Sequence, residues 1–262
     1  MSKFRCLRRY WLLIAVVTIS GSVIAGISIL WMQPRWVIKP LASSICPNAI
    51  FYIPTNEPVI ALTIDDGPDD QRTGNHNTTA RILDVLFTHQ AKATFFLISS
   101  RISPHNQALV VQMVRQGHEL GNHLVADVPS INLSLSDFKV ALDQAEQEIL
   151  AAAEHKTSIR WMRPGSGRCN LEMAQIAQEQ GYKIALGEIW PYDTTIPSST
   201  FATQHILANV RPGSIIVLHD YGPKGVWGDR TLDTLSQVLP ELNRRGYRVV
   251  TLTELAEISG RK

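Results

Sequence analysis

The sequence predicts an α/β fold: an incomplete (distorted) (β/α) barrel of about seven parallel strands, preceded by one N-terminal transmembrane helix. Three observations carry this expectation. A long uncharged stretch follows a cluster of basic residues at the N-terminus. Beyond it, short apolar runs alternate with longer amphipathic ones, and several of the amphipathic runs stop at a glycine. Such alternation implies parallel strands, because each helix returns the chain to the starting edge of the sheet.

Lys3, Arg5, Arg8 and Arg9 precede the uncharged run 10–32. As a helix rising about 1.5 Å per residue it reaches roughly 34 Å, enough for a bilayer core. The basic flank assigns residues 1–9 to a cytoplasmic tail, 10–32 to a membrane anchor and the rest of the chain to the outside. Trp11, Trp31 and Trp36 suit the two interfaces. The alternative is a cleaved secretory signal with Val23-Ile24-Ala25 as its site, although an h-region usually runs only about 7–15 residues. Residues 33–57 carry Pro34, Pro40, Pro47 and Pro54 without helical periodicity, and read as a stiff linker and domain entry. Cys6 then falls in a reducing compartment. Cys46 and Cys169 fall where pairing is permitted but not dictated.

Residues 58–258 form one domain. Strands are expected at 59–64, 93–98, 119–121, 161–163, 183–186, 214–218 and 248–251. Helices are expected at 79–89, 104–116, 136–155 with Ser136 as its cap, 171–180 and 231–245. Seven such units suit a barrel better than an open sheet. A net charge of +2, with no basic tract interleaved with aromatics, gives no reason to expect a nucleic-acid partner.

The polar residues of interest fall at strand ends. Asp65 and Asp66 follow the first strand, His123 the third, Arg163 ends the fourth, and His219 and Asp220 follow the sixth. In a parallel barrel those ends share one mouth, so dispersed residues gather in one pocket. Two adjacent carboxylates before Gly67-Pro68 can divide labour, one holding a cation while the other takes a proton from water. Asp, Gly and Pro also build plain acidic turns, so that motif alone decides little. His123 and Asp127, four apart, can reach one metal from a tight loop, and imidazole with carboxylates suits zinc. Asp127 can equally cap the turn before Val128-Pro129. His76, His89, His105, His155 and His205 read as structural or solvated.

Four motifs in order extend the reading: Asp65-Asp66-Gly67-Pro68, the stretch from Gly117 to His123, Arg163-Pro164-Gly165-Ser166-Gly167, and Leu218-His219-Asp220. Together they resemble the polysaccharide deacetylase (NodB-homology, carbohydrate esterase family 4-like) family over roughly residues 58–255. The resemblance implies a metal-dependent hydrolase that removes N-acetyl groups from amino sugars of a peptidoglycan- or chitin-like glycan. Asp65 then resembles the general base, Arg163 the arginine that orients it, and His219 the general acid. Asp66 and His123 resemble metal ligands. Asp127 stands where the family usually has a second histidine and is expected as the third ligand; Zn2+ is the expected ion, and the extra carboxylate leaves Co2+ or Mn2+ as alternatives. A backbone N–H near Ser166 resembles the oxyanion donor, and Leu218 the lining of the acetyl pocket. The family's Asp-x-x-Asp-Trp motif is altered: Asp193 matches its first aspartate, but Ile196 and Pro197 replace the final pair. Trp190 and Tyr192 are candidates for the missing aromatic wall, or for core packing. An N-deacylase of a lipid-linked compound and a catalytically silent glycan-binding module remain as other readings.

Overall fold

The computed structural model describes residues 17–23, 25–29, 31–69, 77–220 and 226–260. Strand β1 (Val59–Gly67) is its centre, buried at every position. It pairs with β2 (Ala93–Leu97), β6 (Ile215–His219) and β7 (Arg248–Val250), while β3 (Glu119–Asn122), β4 (Trp161–Met162) and β5 (Lys183–Ile184) continue beyond β2. The order is β5-β4-β3-β2-β1-β6 with β7 also on β1, and every one of these pairings is parallel. The expected seven-stranded parallel fold is therefore present.

Side-chain alternation splits the core into two layers. Ile60, Leu62 and Ile64 of β1 pack outward under the helices, beside Phe95 and Leu97. Val59 and Ala61 point the other way, into the curl of the sheet with Phe96, Trp161, Ala185, Ile215 and Val250. Thr63 and Asp65 share that inward face and rise toward its C-terminal mouth. The sheet does not close through β5 and β6 directly. Residues 50–53, which precede β1, fill the gap: Ile50 bridges to Ala185 and Tyr52 to Ser214, while Ile189 bridges to Ile216.

The helices are α1 (Arg35–Ile45), α2 (Thr78–Thr88), α3 (Gln107–Arg115), α4 (Leu135–Ala152), α5 (Leu171–Glu179), α6 (Ser199–Asn209), α7 (Val226–Arg244) and α8 (Leu252–Gly260). Four differ from expectation: α8 has no counterpart among the expected helices, and three others differ for physical reasons. The stretch read as a stiff linker contains α1. Pro40 breaks its local pattern, and tertiary contacts of Ile38 and Ile45 with the core stabilise it instead. Helix α4 is capped by Ser134 rather than Ser136, because Ser134 Oγ accepts the Asp137 N–H. Helix α6 buries Thr203, His205 and Asn209 beside Ala202 and Ile206, so its buried face carries no apolar stripe to betray its period.

Cys46 and Cys169 form a disulfide, with Cα atoms 4.6 Å apart. It ties the end of α1 to the loop before α5. Of the expected membrane anchor, residues 10–16, 24 and 30 lie outside the described residues, as does the tail 1–9. Residues 17–23, 25–29 and 31–32 are helical, and among the described residues no helix is long and apolar enough to cross a membrane.

Candidate active site

At the C-terminal mouth lies a pocket of about 370 Å³. Asp65, Asp66, His123, Asp127, Arg163, Ser166, Trp190, Tyr192, Asp193 and His219 all line it. Neighbouring strand residues normally face opposite ways, yet both carboxylates reach this pocket. A register shift between Asp65 and Gly67 and a left-handed backbone at Asp66 (φ 69°) turn the second carboxylate inward.

Arg163 fixes Asp65. Its guanidinium lies over the Phe96 ring and donates to Asp65 Oδ1 at 2.5 Å, to Thr63 Oγ1 at 2.9 Å and to the Ala185 carbonyl at 2.7 Å. Both partners are almost fully buried, so removing one would strand the other's charge. The next turn must stay close-packed: a Cβ on Gly165 would sit 2.1 Å from the Val128 carbonyl oxygen. That turn presents Ser166 to the pocket in a left-handed conformation (φ 58°).

His123 Nδ1 lies 2.6 Å from the Arg163 carbonyl, which can only accept, so Nδ1 carries the proton. His123 Nε2 then faces Asp66 Oδ1 at 3.4 Å. Two acceptors facing each other need a cation or a proton between them. Burial alone would raise Asp66 and lower His123. Their contact outweighs it, holding Asp66 below the ordinary carboxylate range and His123 above the ordinary imidazole range. The spacing suits a metal: donors about 2.0–2.1 Å from a tetrahedral ion stand roughly 3.3–3.4 Å apart. Asp127 sits on the rim of the same pocket, 58% exposed, with its carboxylate 3.1 Å from Arg101 Nη2. Among the described residues, no three His, Cys, Asp or Glu side chains converge as a metal group. Asp66 and His123 thus fit a divalent ion, while Asp127 lines the same pocket with one carboxylate oxygen engaged by Arg101.

Across the pocket, Asp193 grips His219 twice. Its carboxylate accepts the His219 backbone N–H at 2.9 Å and lies 3.0 Å from Nδ1. Burial would push the ring toward neutrality, but Asp193, with Asp65 and Asp66, outweighs it and raises His219 to about 9. The adjacent Asp220 is buried on the Thr78 and Thr79 hydroxyls at 2.8 and 2.5 Å, anchoring the end of β6 to α2.

Leu218 does not line the pocket. It belongs to the layer under the helices, because strand alternation from His219 brings Val217 inward instead. Trp190 does form wall, with 38% of its surface exposed, while Tyr192 both lines the pocket and packs on His205. The sequence reading missed Trp227, edge-on to His219 at 6.1 Å, and Arg101, which also donates to the Asp66 carbonyl. Arg101 follows the end of β2, so the strand-end rule applied to every strand would have found it.

The polysaccharide deacetylase family model matches residues 52–185. A peptidoglycan-N-acetylglucosamine deacetylase of Bacillus cereus is 36% identical over 208 residues, covering 78% of this chain and 90% of that one. The chain belongs to the polysaccharide deacetylase family. Two solved structures bear on this polysaccharide deacetylase. A family 4 acetyl xylan esterase from Clostridium thermocellum, in complex with a cobalt ion, matches with TM-score 0.67 and 31% identity, over 77% of this chain and 92% of that one. A pseudoenzyme of the same family from Bacillus anthracis matches with TM-score 0.69 and 25% identity, over 81% and 70%.

Proposed function

We propose that the chain hydrolyses N-acetyl groups on amino sugars of a peptidoglycan- or chitin-like glycan, releasing acetate and a free amine. One observation carries the reading: Asp65 and His219, partners in adjacent strands, line one pocket, each held by its own counter-charge, Arg163 and Asp193. A silent binding module has no need of an oriented base facing a protonated acid.

A divalent ion held by Asp66 and His123 supplies, when bound, positive charge that acidifies water and polarises the amide carbonyl. Asp65, oriented through Oδ1 by Arg163, takes the proton of the attacking water. The turn at Ser166 offers a backbone N–H toward the carbonyl oxygen as it gains charge. His219, its Nδ1 on Asp193, keeps Nε2–H for the departing amine, which would otherwise leave as an anion. Val217, Leu186 and the Trp190 wall give the acetyl methyl an apolar lining. Zinc suits the imidazole and carboxylates best, and cobalt or manganese would suit a site in which Asp127 adds a second carboxylate. Chelated protein should lose acetate release from N-acetylated oligosaccharides and regain it on separate addition of zinc, cobalt or manganese. Undiminished turnover in verified metal-free protein would defeat the metal assignment.

We also place the catalytic domain outside a membrane that residues 10–32 anchor. The basic N-terminal flank and the Cys46–Cys169 disulfide support this, since such bonds persist in oxidising compartments. In protein taken from cells under thiol-blocking conditions, Cys46 and Cys169 should resist labelling until reduced. Free thiols at both positions would contradict the placement.

A further inference from the structure

The segment ahead of β1 reaches the wall of the catalytic pocket. The Gln33 side-chain amide forms a reciprocal pair with one residue of that wall: Nε2 donates to the Trp190 carbonyl at 3.1 Å, and Oε1 accepts the Trp190 N–H at 3.2 Å. Two residues on, Arg35 makes a two-pronged contact with Glu188, both distances 2.8 Å. The Glu188 carboxylate is wholly buried and also takes bonds from Ser214 Oγ at 2.6 Å and Arg211 at 3.2 Å. Trp31 packs edge-on against His205, with ring centres 5.1 Å apart, and Tyr192 packs on the same imidazole at 5.5 Å. Residues 188, 190 and 192 are therefore all secured, directly or through His205, by residues 31–35.

Asp193 is the next residue, and its carboxylate holds His219. Tyr192 adopts a positive φ of 57°, a strained conformation for a non-glycine residue, and Arg230, which donates to the Asp193 carbonyl, holds the far end of the loop. Between Pro34, Val37 and Trp190 lies an apolar cavity of about 130 Å³, so the Gln33 and Arg35 bonds supplement the ring packing of Trp31 there. Neither Gln33 nor Arg35 is among the residues lining the catalytic pocket, so both act through the loop.

We propose that residues 31–35 are a positioning strap of the active site, fixing the 188–193 loop so that Trp190 walls the pocket and Asp193 meets His219. Gln33 and Arg35 are its two positioning residues. The proposal rests on the reading of His219 as the proton donor.

The test uses the full chain in detergent with the Gln33→Ala variant. A small misplacement transmitted from outside a site commonly costs tenfold or more, so kcat should fall by about tenfold. The loss in kcat runs through Asp193 while the Trp190 wall bears on substrate binding, so in an Asp193→Asn background the same substitution should lower kcat by less than about twofold. Hydrogen exchange across residues 186–197 should quicken while β1 and β2 stay protected. A wild-type kcat, or an equal loss in both backgrounds, would overturn the proposal. Arg35→Ala alone would strand the buried Glu188 carboxylate, so Arg35→Ala with Glu188→Gln is the second variant, with the same expectations. Exchange is read without substrate. Failure of the deacetylase reading would thus leave the loosening of the loop visible, whereas an active wild type with unchanged loop exchange in Gln33→Ala defeats the strap alone.

Discussion

Asp65→Asn and His219→Ala are each expected to lower kcat by about 10²–10⁴-fold while metal content stays nearly unchanged. The size follows from what each side chain does. Asparagine keeps the shape of Asp65 and one oxygen for Arg163, but it cannot take a proton from water. Alanine at 219 leaves no group to protonate the amine, and Asp193 is then without its imidazole partner. Neither substitution removes the Asp66–His123 pair on which the metal assignment rests. Metal analysis beside steady-state kinetics separates the roles. A variant that retains more than about half the wild-type rate removes that residue from proton transfer, and one that loses its metal moves it into the ligand set.

Asp193→Asn is expected to move the basic limb of the pH–rate profile down by about one unit or more, because Asp193 is the foremost group raising His219 to about 9. Asp65 and Asp66 contribute less, and the share from Asp66 falls away once it holds a cation. A general acid works only while protonated, so wild-type activity should persist to higher pH than that of the variant. Stability carries the same sign. A raised histidine pKa stabilises the fold fully below the unfolded value of about 6.5, and that contribution is lost as pH rises through about 9. The stability gap between wild type and variant should therefore be full in mild acid and close in alkali. An unshifted basic limb would mean that another group protonates the amine.

Much of this was legible because strands and chemistry carry strong local signals. The apolar runs that became β1 to β7 stand between turn residues, and Asp65, Asp66, His123, Arg163 and His219 fall at their ends. What escaped depends on contacts across long stretches of chain. The pairing of Cys46 with Cys169 spans 123 residues. Helix α1 hides behind Pro40 and is held by the domain it packs on. Leu218 was a different kind of miss: alternation counted back from His219 selects Val217, and that rule was available from the sequence.

Acetate and newly exposed glycan amine, counted together as the metal-loaded protein acts on N-acetylglucosamine oligosaccharides, test the central claim most directly. Amide hydrolysis at the Asp65–His219 site predicts that the two appear in equal amounts and that both vanish when Asp65 and His219 are replaced together. Absence of both products from the metal-loaded wild type, or their undiminished release by the double variant, would contradict it.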